Sequence, residues 1–435
     1  MNWFTKLIQV FKIKDLRKKI LFVFFIFAVF RLMANIPVPG VNLENLRMFF
    51  ESNQSLSLLN LFTGGALERS SIVMLGLGPY ITSVIILQLL TMIFPQLEKM
   101  YKEEGEAGRQ KFNQYGRILT VPLAALQGFA MLNLLSRQNP PVVEFASPLL
   151  FLSAIITITA GAVFLMWLGE LITEKGVGNG VSLLIFAGII AGFPSSIYQS
   201  YFQVESNPAM VFNFLVFFVL ALLIIFSVVL VNEARRNIPV SYAKRVRGTK
   251  MYGGVSTYLP LNLNPAGVIP IIFALAIMLF PGMIATFLGG AGGWIGAIAQ
   301  KVGSIFNSQE NLLAYSVFYF LLVVLFTFFY TAVTFDPKAI ATNLQKMGGF
   351  VPGIRPGSST ANFLKYILNR VLLFGALFLG LIAVMPFVVS YFTKVQQGTF
   401  SFLIGGTSLL IVVSVVLETM KQINSQLQMR EYDTF

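Results

Sequence analysis

The chain of 435 residues contains no cysteine and no histidine. Without cysteine there are no disulfides, no thiol nucleophiles and no Cys-ligated zinc or iron–sulfur centres. Without imidazole there is no Ser-His-Asp triad, no HExxH zinc site and no histidine proton relay. Aspartate is nearly missing as well: Asp15, Asp336 and Asp433 are the whole set. All three fall outside the apolar runs, which argues against a paired-Asp intramembrane protease. No GxxxxGK[ST] loop is present, so the chain is not expected to hydrolyse ATP unaided. These absences leave little for an enzyme to work with, and neither a metal nor a cofactor is expected. Charged residues make up only 11% of the chain, against roughly 25% in a typical soluble domain.

Apolar residues fill the space that charge leaves. They account for 56% of the chain, including 43 Phe, and the mean hydropathy is +0.76. The pattern predicts an all-α integral membrane protein. Ten apolar runs near bilayer length are found at about 20–36, 71–94, 116–135, 149–169, 181–200, 211–231, 265–288, 312–334, 366–392 and 402–417. The net charge of +13 is distributed unevenly. Most Lys and Arg lie in alternate connections, whereas the opposite connections hold only Arg47, Arg69, Arg137, Lys301 and Lys394. The positive-inside rule therefore predicts that both termini are cytoplasmic.

Topology alone could account for most of these cations, but two connections exceed it. Residues 232–262 carry Arg235, Arg236, Lys244, Arg245, Arg247 and Lys250 against the single acid Glu233, and residues 335–365 place Arg355 in the Pro/Gly-framed turn VPGIRPG. Such loops suit an acidic partner. At the N-terminus, Trp3, Phe4, Leu7, Ile8 and Phe11 recur at helical spacing among lysines, which predicts an interfacial helix over residues 1–19.

Two runs are broken near their starts. The second contains Gly76, Gly78 and Pro79, and the seventh contains Pro265, Gly267 and Pro270. If ten runs divide into five plus five, these are the second member of each half. Matched interruptions point to a central pathway, because irregular backbone at membrane depth must line a cavity or be buried in protein; ordinary proline kinks are the alternative. No Asp or Glu lies mid-run, Glu170 and Glu418 falling at run ends. This disfavours the competing reading, a secondary transporter of small solutes. Ile81 and Ile85 share a face just past the first break with Gln88 one turn on, and Ile185 and Ile189 repeat the spacing. Taken alone, these isoleucines read as lipid-facing or packing residues.

Several strings resemble the bacterial SecY family, the channel-forming subunit of the Sec translocon. They include NLFTGGALERSS, GPYITSVIILQLL, EGEAGRQ, FLMWLGELITEKGVGNGVSLLIFAGIIAG, YAKR, NPAGVIPIIFA, FVPGIRPG and GGTSLLIVV, and they run from residue 60 to residue 413. The resemblance implies ten transmembrane helices in two pseudosymmetric five-helix halves around a central pore. The halves would be residues 20–200 and 201–417, followed by a cytoplasmic tail, 418–435. Such a channel moves unfolded preproteins across the cytoplasmic (inner) membrane and releases apolar segments sideways into lipid.

The resemblance also implies residue roles. Ile81, Ile85, Ile185, Ile189, Ile272 and Ile411 would form a pore ring, which as an apolar constriction would dewet and exclude ions. Residues 55–70, with Phe62, Gly64 and Gly65, would form a plug, although Gly-Gly also suits an ordinary turn. Gln88, Thr91 and Asn264 would lie at a lateral gate that signal sequences open. Tyr242, Lys244, Arg245, Arg247 and Arg355 would dock the SecA ATPase motor or the ribosome. The small membrane subunits SecE and SecG are expected partners on the same ground.

Overall fold

The computed structural model describes residues 12–433 apart from 43, 47–62, 64, 68, 137–140, 144, 146, 207–209, 243–244, 248–249, 253–255, 289–293, 307–310 and 394–405. The expected N-terminal interfacial cluster, Trp3 to Phe11, lies outside the described residues.

An apolar run in lipid must satisfy its backbone polar groups internally, and each run does so as a helix. In chain order the helices are α1 (Lys14–Met33), α2 (Gly78–Ile93), α3 (Pro95–Lys102), α4 (Gly105–Ser136), α5 (Pro148–Lys175), α6 (Gly180–Ser206), α7 (Met210–Glu233), α8 (Ile269–Leu288), α9 (Trp294–Ile305), α10 (Leu312–Thr334), α11 (Pro337–Lys346), α12 (Ser358–Thr393) and α13 (Gly406–Asp433). Each of the ten predicted runs falls on one of α1, α2, α4, α5, α6, α7, α8, α10, α12 and α13. By length and composition alone, six helices among the described residues can cross a membrane, and α2 with α3 adds a seventh as a pair bent by 112°. Of the remaining runs, α1 is crowded by charge at the helix start, and α6 and α8 are helices of 27 and 20 residues.

Burial shows which faces meet lipid. In α7, Ala221, Ile224 and Val228 are buried, while Leu215, Phe218, Leu222, Phe226 and Leu230 are exposed. A helix that is apolar on both its packed and its free face belongs in a bilayer. The fold is that of an all-α membrane protein.

The helices form two sets with the same internal arrangement. In the first set, α2 touches α4, α4 touches α5, α5 touches α6, α1 touches α5 and α6, and α2 also touches α5. In the second set, α8 touches α10, α10 touches α12, α12 touches α13, α7 touches α12 and α13, and α8 also touches α12. Replacing α1, α2, α4, α5 and α6 by α7, α8, α10, α12 and α13 reproduces every pairing. The sets meet along two seams, α2 and α4 against α8 on one side and α6 against α7 and α13 on the other.

Two features lie beyond the bundle. After α1, Ile36 and Val38 bond to residues 70–72: the Val38 N–H donates to Ser70 O and the Ile72 N–H to Ile36 O, both at 2.9 Å. These bonds tie together the two ends of the excursion that contains the expected plug. On the basic loops, strands β1 (Arg235–Tyr242), β2 (Arg245–Arg247), β3 (Lys250–Tyr252), β4 (Ser256–Asn262) and β5 (Gly349–Phe350) form two small sheets. Both regions read as loops in the sequence; alternating burial of Ile238 and Val240 is the strand signal within the first.

Candidate functional site

The ring candidates come from four of the six helices at the seams: Ile81 and Ile85 on α2, Ile185 and Ile189 on α6, Ile272 on α8 and Ile411 on α13. Ile85, Ile185, Ile189 and Ile411 belong to one contiguous buried apolar cluster, against which Ile81 and Ile272 pack half-buried. Ile189 is 0% exposed and Ile411 1%. None of the four buried isoleucines meets lipid.

Their placement follows an internal repeat that reading run by run does not reveal. The string SLLI occurs at 182–185 and again at 408–411, each time just after the glycine that opens its helix, and it makes Ile185 the counterpart of Ile411. The breaks repeat too. Gly76 and Gly267 both have positive φ, +56° and +63°, a conformation that favours glycine. In this register Gly78, the first residue of α2, matches Ile269, the first of α8, and Ile81 matches Ile272. Ile81 donates its N–H to Leu77 O and Ile272 to the equivalent Val268 O. Ile85 and Ile189 have no isoleucine counterpart; Ala276 and Val415 occupy those positions.

A cavity of about 280 Å³ reaches the cluster from one end of the bundle. Ile272 and Ile411 line its apolar part, Asn179, Asn232, Asn264 and Ser414 its polar wall, and Glu418 and Lys421 are also on its lining. The wall is cross-linked. Asn232 Nδ2 donates to Ser414 Oγ at 2.7 Å, and Asn264 Nδ2 donates to Asn232 Oδ1 at 3.2 Å and to Gly267 O at 3.1 Å. The expected gate residue Asn264 is thereby tied to α7, and Asn232 and Ser414 are site residues that sequence reasoning missed.

Gln88 and Thr91 are buried on α2, Thr91 Oγ1 donating to Gln88 O at 2.7 Å. Gln88 Oε1 and Asn264 Oδ1 are buried without a hydrogen-bond partner, a state that costs about 1–3 kcal/mol per group. Glu170, by contrast, is held by Arg117 Nε at 2.7 Å across α4 and α5.

Of the plug candidates, Gly65 is described with φ +79°, while Phe62 and Gly64 lie outside the described residues. Of the docking candidates, Lys244 lies outside them, and Arg245 and Arg247 are described as backbone in β2. Tyr242 joins the two basic loops. Its strand β1 pairs with β4 on one side and β5 on the other, with Tyr242 opposite Gly349. Beneath the sheet, Ile238, Leu261, Val351 and Leu364 form a small core, and Ile354 packs against it. Next to that anchor Arg355 is exposed, in a turn with Gly353 at φ +82° and Gly357 at φ +100°, closed by Thr360 Oγ1 donating to Arg355 O at 2.9 Å. Arg235, Arg236, Lys338, Lys346 and Lys365 are exposed on the same two loops. Asp336 is occupied as the cap of α11, accepting from the Lys338 N–H at 2.9 Å.

These features together, a two-set bundle with broken helices facing each other and a buried isoleucine-containing cluster between the sets, are those of a protein-conducting channel, and solved channels share the fold. A SecY structure, described as one whose plug domain stabilizes the closed state of the translocation channel, superposes with TM-score 0.63 at 18% identity, covering 94% of this chain and 91% of that one. Sec61 in a canine ribosome–channel complex superposes with TM-score 0.58, also at 18% identity and with the same coverage. A family model described as SecY matches residues 71–420. The protein translocase subunit SecY of Streptomyces galbus is 43% identical, with 99% of each chain covered. That of Pseudomonas aeruginosa is also 43% identical, with 97% of this chain and 93% of the relative covered. The chain belongs to the SecY family, a family of multi-pass membrane translocase subunits.

Proposed function

We propose that the chain conducts unfolded preproteins between its two helix sets, residues 20–200 and 201–417, across the cytoplasmic membrane, and releases apolar segments through the α2/α8 seam. The observation that carries this reading is the origin of the six isoleucines. They come from four of the six helices at which the sets meet, and they lie in or against one buried cluster rather than toward lipid. Stiff, branched side chains gathered there form a seal that can part around a sliding chain and close again behind it.

The remaining parts fit this path. The polar cavity supplies hydrated entry on the side of the basic loops, which is the cytoplasmic side if positive charge marks it; both termini then lie in the cytoplasm. The unpaired Gln88 and Asn264 oxygens favour a seam that opens to water or to a signal sequence, where they gain partners. The tied-down excursion containing Gly65 suits a plug on the opposite side. The rigid, exposed Arg355 and the joined basic loops suit SecA or ribosomal RNA, because guanidinium binds carboxylate and phosphate bidentately. SecE and SecG would cover exposed apolar helix faces. The chain has no catalytic role in this scheme, and work is done by the bound motor or the translating ribosome.

The test is reconstitution. Purified channel in proteoliposomes, given motor and ATP, is expected to move an unfolded, signal-bearing polypeptide into a protease-protected space without accumulating small solutes. Saturable solute uptake with no protection of polypeptide would reverse the assignment in favour of a transporter.

A further inference from the structure

Just ahead of each broken helix, the unwound backbone passes very close to a glycine of a neighbouring helix. In the first set the neighbour is Gly161 on α5: a Cβ there would collide with the carbonyl of Ile72. In the second set it is Gly375 on α12, where a Cβ would collide with the carbonyl of Leu263. The helices α5 and α12 are counterparts, and so are the two carbonyls. The interval from Ile72 to Gly76, Gly78 and Ile81 equals that from Leu263 to Gly267, Ile269 and Ile272. The same notch is therefore built twice, from different surrounding sequence, at the same distance along the chain from a ring isoleucine.

What each collision partner is decides its importance. A Cβ facing the end of a flexible side chain costs little, because that side chain moves. Here the obstacle is backbone, in each set six residues ahead of the helix start. Ile72 is fixed further by its N–H bond to Ile36 O, and the residue after Leu263 is Asn264, held to Asn232 and Gly267. Glycine also offers Cα hydrogens to a carbonyl, a weak contact that recurs where helices approach closely. Displacing either carbonyl must carry the following helix start with it.

We propose that Gly161 and Gly375 are positioning residues that set the depth at which Ile81 and Ile272 enter the seal, each glycine indexing the broken helix of its own set. The inference rests on the reading of those isoleucines as ring residues, and its test is chosen to be separable from that reading. Single cysteines at 81 and 272 can be introduced into the otherwise cysteine-free chain and their labelling by a membrane-impermeant thiol reagent timed in the assembled, resting channel. Gly375→Ala is expected to change the labelling rate at 272 several-fold and leave 81 unchanged, and Gly161→Ala to do the reverse. Gly128→Ala serves as a control, because a Cβ there meets Ile158 Cγ2 at an ordinary 3.5 Å; it should move neither rate.

Unchanged rates in both variants, or equal changes at both cysteines, would overturn the proposal. So would failure of either variant to assemble while Gly128→Ala assembles, since the notch would then serve folding rather than depth. The ring reading is tested apart from this, by whether the same cysteines crosslink to a polypeptide arrested in transit. Absence of those crosslinks alongside reciprocal labelling shifts would leave the notches as depth markers of two helices that line no path.

Discussion

The two helix sets share one arrangement but divide the work unequally. The first set contributes four of the six isoleucines, Ile81, Ile85, Ile185 and Ile189, and carries the excursion between the bonded segments 36–38 and 70–72. The second contributes Ile272 and Ile411, replaces the other two positions by Ala276 and Val415, and carries the three-stranded sheet and most of the polar cavity wall. A duplicated scaffold thus fixes where helices break and meet, while the side chains laid on it differ between the sets; in the proposed function one set is mainly the seal and the other mainly the entrance and docking face.

The largest expected effect falls on the part found in the second set alone. Arg355→Glu would replace the proposed charge-assisted contact by repulsion and is expected to lower motor-driven export by about tenfold or more, since about 1.4 kcal/mol already corresponds to tenfold. The channel should remain at normal levels in the membrane, because Arg355 is exposed and its anchor Ile354 is untouched. Normal export at normal abundance would remove the docking role.

A pair of exchanges then tests the seal itself. Ile85→Ala, which gives the first set the residue of its counterpart, opens space in the buried cluster and should raise resting ion conductance several-fold in a planar bilayer. Ala276→Ile adds volume at the equivalent place, so conductance should stay at or below the parent value while transport slows. If the two variants leak alike, the seal does not depend on which set supplies the bulk.

Smaller still is the effect expected at the cavity wall. Asn232→Leu leaves Ser414 and Asn264 without their partner and should cost about 1–3 kcal/mol, seen as a lower midpoint in thermal unfolding of the detergent-solubilised channel. The smallest change is expected on α3, which lies outside both seams. Lys102→Met breaks only the exposed pair with Glu98 at 3.0 Å, so the same midpoint should move by no more than about 0.5 kcal/mol allows.

The ten helices were legible in the sequence because lipid imposes a length and an apolar composition that few other constraints mimic. The breaks before α2 and α8 were legible for a related reason, since glycine and proline stand out in an apolar run. The strands of the basic loops were less so: β5 is two residues long and owes its existence to pairing with Tyr242 and Ser241, a contact across more than a hundred residues. The isoleucines marked the limit of periodicity. Ile189 and a lipid-facing isoleucine such as Ile190, which is 42% exposed, are adjacent in the chain. The resemblance singled out the six positions, and only the folded arrangement separated buried isoleucines from exposed ones. Asn232 and Ser414 were missed because a lone polar residue near a helix end carries no signal until its partner arrives from another helix. The register linking Ile72 to Leu263 was present in the sequence, but only an internal alignment of the two breaks exposes it.

The central claim is that a translocating chain passes between the two sets at the isoleucine cluster. It is tested most directly by placing single cysteines at 85, 189, 272 and 411 and asking each to form a disulfide with a cysteine in a preprotein stalled midway, with cysteines at the lipid-exposed positions Phe226 and Leu325 as controls. Crosslinks at all four positions and at neither control are the predicted result. Equal reaction at the controls, or no reaction at the four positions in a stable stalled complex, would contradict the account.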